Sequence, residues 1–219
     1  VNDSAIKLYE ANLALLYQES MSNYNTSYIK DSNVNHSIKE IKKRINYLNH
    51  QTPFDFNSSE LILNYIKTYV EKRKKLTAKM FNYGKFYFPI FEEQLIKHEL
   101  PLELKYLPIV ESALNPKAKS RAGAVGLWQF MPRTGKMMGL EISSFIDERK
   151  DPLLSTEAAC LYLKKLFTVY EDWNLALAAY NAGPGNINKA IRRSGGETDY
   201  WKVRPFLPKP GEGPSQEQQ

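Results

Sequence analysis

The stretch LPIVESALNP, residues 107–116, sets one acid, Glu111, in an apolar run bounded by Pro108 and Pro116. A residue that precedes proline is pushed out of the helical region, so Pro108 divides two short helical pieces, PLELKYL and PIVESAL. That reading places Glu111 in the first turn after Pro108. Its neighbours Ile109, Val110, Ala113 and Leu114 offer little water or countercharge, and desolvation raises a carboxyl pKa. A carboxylic acid kept protonated near neutral pH can protonate a departing oxygen and, once ionised, serve as a base. The ordinary alternative is an acid in a helix first turn, where it favours the dipole.

Two further stretches bear on that choice. GAVGLWQFM, residues 123–131, sets small Gly123, Ala124 and Gly126 beside Trp128, Gln129, Phe130 and Met131. Such a layout lets backbone approach a ligand while an aromatic wall and an amide face it. LALAAYNAGPG, residues 175–185, ends an apolar helix with Tyr180 and Asn181 just before a glycine, so a hydroxyl and an amide can project into a cleft. With the isolated acid, these stretches suit a carbohydrate cleft: apolar walls for sugar faces, and amides for N-acetyl groups and hydroxyls.

Outward from this centre the chain reads as all-α, with many short helices joined by Pro/Gly turns. AIKLYEANLALLY predicts a helix over 5–17, followed by an Asn/Ser-rich linker over 20–37 and a helix carrying Ile38, Ile41, Ile45 and Leu48. Ser58 or Ser59 caps a long charged helix that Gly84 ends or bends. In KFYFPIFEEQLIKHEL, Pro89 separates a short helical turn from a second helix that stops before Pro101. Residues 115–126 form a loop, LWQFMPRTGKMMGL a helix pair broken at Pro132, and DERKDP a turn. Asp151 caps a helix to about Tyr170, Asp172 caps the next to Gly183, and Asn186 caps the last. The organisation expected is a helical linker region over 1–55, a helical arm over 56–98 and the main domain over 99–208, followed by a disordered tail.

A chain of 219 residues suffices for one domain with an appendage, and 42% hydrophobic with 25% charged residues is ordinary globular composition. The formal charge of +6 favours an anionic partner. Its groups KEIKKR, EKRKK and IRR read as solvated helix faces, so nucleic acid is not the partner expected. No apolar run approaches a membrane span, and a monomer is expected. Cys160, the single cysteine, has the spacing of a buried helix position. The three histidines stand far apart, so neither a metal nor another cofactor is expected. RTGKM lacks the earlier glycine of a phosphate loop, Phe130 standing in its place, and Ser112 has no nearby histidine to activate it.

ESALNP (111–116), SRAGAVGLWQFMPRTG (120–135) and ALAAYNAGPGNINKAI (176–191) resemble, in order and spacing, the motifs of the lytic transglycosylase domain of the goose-type lysozyme superfamily, in its membrane-bound D-type branch. The resemblance covers residues 100–208, and FYFPIFEEQL before it is similar to the same branch. It implies a lysozyme-like all-α fold, and cleavage of the β-1,4 bond between N-acetylmuramic acid and N-acetylglucosamine in peptidoglycan glycan strands. It further implies a 1,6-anhydro product and a periplasmic or cell-envelope location. Glu111 would be the single acid and then base. Ser112 would orient Glu111 or a substrate group, and Gly126, Gln129, Phe130, Met131, Tyr180 and Asn181 would bind substrate. The family pattern continues after LPK to a Tyr-x-Pro motif, whereas this chain reads PGEGPSQEQQ, for which disorder from Pro210 is expected. A hydrolytic muramidase, with Asp147, Asp151 or Glu103 activating water, and a glycan-binding domain without turnover are the alternatives.

Overall fold

The structure is a computed structural model and describes residues 37–208. The helix expected over 5–17, most of the polar linker and the tail after Pro208 lie outside the described residues. Nine α-helices run through the described chain: α1 (Ile38–Gln51), α2 (Glu60–Lys67), α3 (Lys74–Lys97), α4 (Leu107–Ser112), α5 (Pro132–Met137), α6 (Pro152–Tyr170), α7 (Trp173–Ala182), α8 (Pro184–Arg193) and α9 (Tyr200–Val203). The described residues contain no strand, only three isolated β-bridges, and the all-α expectation holds.

Two of the expected caps form. Asp151 Oδ1 accepts from the amides of Leu153 and Leu154, both at 2.8 Å, with Pro152 as the first helical residue of α6. Asp172 Oδ1 accepts from Leu175 N at 2.6 Å and starts α7. The cap assigned to Asn186 does not form. Gly183, at φ +86°, closes α7 and opens α8 at once, and Asn186 Nδ2 instead donates to Ala182 O at 2.8 Å. With Pro184 as first residue of α8, its missing N–H falls where helix donors are unpaired anyway.

The long second helix breaks earlier than Gly84. It passes through a π-turn at Thr68–Lys72 and restarts at Lys74, within a run of four cations at 72–75. The Thr77 hydroxyl donates to the carbonyl oxygens of Tyr69 (2.9 Å) and Arg73 (3.1 Å), meeting acceptors that the interruption leaves over. Helix α3 then continues through both Gly84 and Pro89. Gly84 is small where the Phe88 ring lies on it: an added Cβ would sit 2.5 Å from Phe88 Cε2. Pro89 and Lys85 are both exposed, so the carbonyl deprived of a proline N–H can turn to water.

The main core is built where α3 and α7 pack on α6. Tyr87, Phe91 and Leu95 of α3 are fully buried, as are Leu163 of α6, Leu175 of α7 and Ile187 of α8. Phe91 stacks on Tyr87 (5.9 Å, 9° between planes) and meets the Trp128 ring edge-on at 5.2 Å. Cys160 is buried in α6 as expected, and desolvation pushes its thiol up to about 12, an inert group. A smaller, separate cluster joins Ile41 and Ile45 of α1 to Leu63 of α2. Phe91→Ala should cost about 3–5 kcal/mol of unfolding free energy in urea titration, since it empties a site between α3 and the 127–130 loop.

Candidate active site

Glu111 lies in the last turn of α4, not the first. Ala113 (φ +52°) and Leu114 (φ +61°) both turn left-handed and end the helix after Ser112. Leu114 is fully buried, and its amide donates to Pro108 O at 3.2 Å, so core packing holds the reversal in place. The dipole reading is thereby overturned, because the carbonyl end of a helix repels a carboxylate. The carboxyl is half-buried, and its Oε1 is enclosed without a hydrogen-bond partner. Desolvation raises its pKa, and the Asn181 side-chain amide beside it pulls part of the way back. An acid in this setting keeps its proton to a higher pH than an ordinary glutamate.

Asn181 is exposed in the last turn of α7, just before the Gly183 turn, and the tertiary fold brings it to Glu111 across 70 residues of sequence. Tyr180 comes with it. Its hydroxyl donates to Trp128 O at 2.7 Å, while burial, and next the charge of Glu111, hold the phenol well above its ordinary pKa. It therefore acts as a neutral donor that ties α7 to the 123–131 segment.

That segment differs from its expected role as a ligand-facing wall. Trp128 is fully buried, and its Nε1 donates to Thr156 Oγ1 at 2.9 Å. Phe130, 2% exposed, packs against Tyr162 and Tyr180 at 6.3 and 6.2 Å. The Gln129 amide folds back, Nε2 donating to Gly126 O (2.8 Å) and Ala118 O (3.3 Å), with its backbone left-handed at φ +49°. Gly126 is small for the sake of Arg149: a Cβ there would fall 1.9 Å from the Arg149 carbonyl oxygen, and its φ is +88°. Met131 is 41% exposed and is the one aromatic or sulfur-bearing member of the set on the surface. Ser112 points to backbone: its hydroxyl donates between Leu127 O (2.9 Å) and Pro108 O (3.0 Å), joining the end of α4 to the same segment.

Sequence reading missed the clamp behind this arrangement. Arg149, 6% exposed and in the stretch read only as a turn, donates from Nε and Nη2 to both carboxylate oxygens of Asp147 at 2.8 Å. Its Nη1 reaches the carbonyls of Gly123 and Phe130, each at 3.0 Å. The guanidinium holds Asp147 below its ordinary pKa and fixes both ends of the 123–130 hairpin. The acid two residues before the arginine is the one sequence signal that pointed to this pair.

The model of the transglycosylase SLT domain matches residues 88–202, more than half of the chain. The chain belongs to the transglycosylase SLT domain family. Within that SLT match lie Glu111, the 123–131 segment, the Asp147–Arg149 clamp and the Tyr180–Asn181 pair. The chain is 43% identical over 114 residues to membrane-bound lytic murein transglycosylase D of Escherichia coli (strain K12), covering 50% of this chain and 25% of that protein. It is 32% identical over 159 residues to membrane-bound lytic murein transglycosylase F of Pseudoalteromonas translucida, covering 66% and 31%. The crystal structure of the 70 kDa soluble lytic transglycosylase of Escherichia coli matches 56% of this chain and 21% of its own, at 30% identity and a TM-score of 0.48. The SLT chain described here therefore spans about a quarter to a third of the length of the curated relatives above.

Two outcomes check this construction of the SLT site. Gly126→Ala should destabilise the fold by about 4 kcal/mol or more in chemical denaturation, because the clash is with backbone and no rotamer relieves it. Glu111→Gln should raise the melting temperature at neutral pH. A carboxyl whose folded pKa is raised binds its proton more tightly in the native state, so the parent loses stability as pH rises from the unfolded to the folded pKa. The gain from Gln should then vanish below the unfolded pKa, and calorimetric scans across that range read it directly.

Proposed function

We propose that this chain is a lytic transglycosylase that cleaves peptidoglycan glycan strands between N-acetylmuramic acid and N-acetylglucosamine and leaves a 1,6-anhydro end. The observation that carries this reading is the Glu111 carboxyl at the end of α4, half-buried, with a desolvated and unpartnered oxygen and an exposed amide beside it. Protonated Glu111 gives its proton to the glycosidic oxygen as the C1–O bond breaks, and the substrate N-acetyl oxygen supports the cationic C1. Ionised Glu111 then takes the proton of the muramic 6-hydroxyl as that oxygen closes on C1. The proton is returned and no water is consumed, so one carboxyl suffices, unlike the two-acid scheme of most glycosidases.

Two of the three acids offered by sequence as water activators are committed elsewhere: Asp147 to Arg149 and Asp151 to the cap of α6. That favours the non-hydrolytic route. Asn181 and Met131 meet the sugars at the surface, while Ser112, Gly126, Gln129, Phe130 and Tyr180 shape the site from behind. The catalytic unit is residues 99–208, with the arm of 56–98 packed on it through Tyr87, Phe91 and Leu95. The relatives' names speak of membrane-bound murein enzymes, and the proposed place of action is the cell envelope, in the periplasm, as a monomer. Among the described residues no helix is long and apolar enough to cross a membrane.

Digestion of purified peptidoglycan followed by mass spectrometry of the products should give 1,6-anhydro ends. Reducing ends alone would replace this reading with hydrolysis. Glu111→Gln should lower turnover by about 10²–10⁴-fold, the range general acid–base groups supply.

A further inference from the structure

The side chain of Asn186 turns back across the corner between α7 and α8, and its amide donates to Ala182 O at 2.8 Å. The last carbonyls of a helix have no partner within it. At this corner the backbone amides that follow are spent elsewhere: Gly183 N on Ala179 O at 2.9 Å, and Asn186 N and Ile187 N on Gly183 O at 3.1 and 3.4 Å. Asn186 therefore supplies to Ala182 the donor that the backbone withholds. A second tie grips the corner from the side of α8, where the Tyr170 hydroxyl is shared between Pro184 O (3.2 Å) and Asn188 Oδ1 (3.0 Å). Asn181 stands between two anchored neighbours. Tyr180 before it is held by its hydroxyl on Trp128 O at 2.7 Å, and Ala182 after it is held by Asn186. Asn181 itself is exposed and lies in the last turn of α7, next to a glycine at φ +86°, where a helix frays most readily.

From this geometry we propose that Asn186 is a positioning residue for the reaction: by closing the last turn of α7 through Ala182 O, it holds the Asn181 amide against the Glu111 carboxyl. The inference rests on the reading of Glu111 as the acid that acts on the glycan. Its consequence is the pH range over which that acid works. An amide that donates to a carboxylate favours the ionised form, so Asn181 opposes the effect of burial on Glu111. Once the turn opens, burial acts unopposed and Glu111 keeps its proton to higher pH. The other titratable groups at this end of α4 are Tyr180 on α7, a neutral phenol, and Lys79 and Tyr83 on α3, which lie beside Ser112. None of the three bonds to Asn186, so a change there reaches Glu111 through Asn181.

The test is a carboxyl carbon-13 titration of the glutamate-labelled protein, with the Glu111 signal assigned by its loss in Glu111→Gln. Asn181→Ala should raise the Glu111 pKa by about one pH unit, the scale of one hydrogen bond to a charged group. Asn186→Leu and Asn186→Ala, which remove the donor with and without filling its space, should each give most of that rise. Added to Asn181→Ala, they should raise it no further. Tyr170→Phe, which loosens the same corner from the side of α8, should lower the melting temperature and leave the titration in place. With peptidoglycan as substrate, the high-pH limb of kcat/KM should move up with the Glu111 pKa in the Asn186 variants. A parent-like titration in the Asn181 or Asn186 variants overturns the proposal, as does a rise from Asn186 that adds to that from Asn181. An equal rise in Tyr170→Phe also overturns it, by assigning the effect to general looseness of the corner. The titration needs no substrate, so the two claims part. A parent that cleaves while Asn186 leaves the titration unmoved refutes the positioning role alone. An Asn186-dependent titration in a parent that never cleaves refutes the catalytic reading alone.

Discussion

A guanidinium taken out of water must find partners for its five donors, and Arg149 places four of them on the Asp147 carboxylate and two backbone carbonyls of the 123–130 segment. That single requirement organises the site. The carbonyls of Gly123 and Phe130 are drawn to one point, so the chain between them must double back. The Arg149 carbonyl presses on residue 126, so that residue must be glycine. Doubling back turns Trp128 and Phe130 into the core and leaves the carbonyls of Leu127 and Trp128 to receive the hydroxyls of Ser112 and Tyr180. Helices α4 and α7, distant in sequence, are thus docked on one hairpin, and Glu111 meets Asn181 as a result.

The two perturbed acids of the site, Glu111 and Asp147, pull stability in opposite directions with pH. Asp147 has a lowered pKa, so its contribution is present above the unfolded value and is lost as pH falls through the folded one. Glu111 has a raised pKa, so its ionisation on the way to neutrality costs stability. The clamp is therefore strongest in the same range where the buried acid is most uncomfortable. The Asp147–Arg149 pair thus holds the 123–130 segment in the same pH range in which ionising Glu111 costs stability.

How much could be read beforehand follows from the range of the forces. The caps at Asp151 and Asp172 were legible because a cap is a bond between residues two or three apart. The helical class and the burial of Cys160 were legible from periodicity. The position of Glu111 within α4 was not, because α4 ends where Leu114 enters the core in a left-handed conformation, which Pro108 does not foretell. Nor was the direction of Trp128, Gln129 and Phe130: a glycine-rich aromatic loop reads the same whether its rings face a ligand or the core. Gly84 and Pro89 misled for a related reason. Both are helix breakers by local rule, yet α3 runs through both, with the Phe88 ring lying on Gly84 and open water at Lys85 for Pro89. Of the predicted set, Glu111 and Asn181 stand together, Met131 lies at the surface, and the rest bond to backbone or lie in the core.

The π-turn at Thr68–Lys72 separates a three-residue cluster from the aromatic spine of α3, while Phe54, in the link between α1 and α2, packs into the main core beside Trp173. Ile41, Ile45 and Leu63 lie on its amino-terminal side, and the aromatic spine of α3 lies on the other. Cooperativity in a folded chain follows shared burial, and the three-residue cluster has little of it. Helices α1 and α2, buried against each other through three side chains, thus open at lower free energy than α3, while Phe54 beside Trp173 and the Asn174 amide donating to Asp55 O keep the link between them on α7. Helices α1 and α2 are therefore where the chain can yield without disturbing the acid.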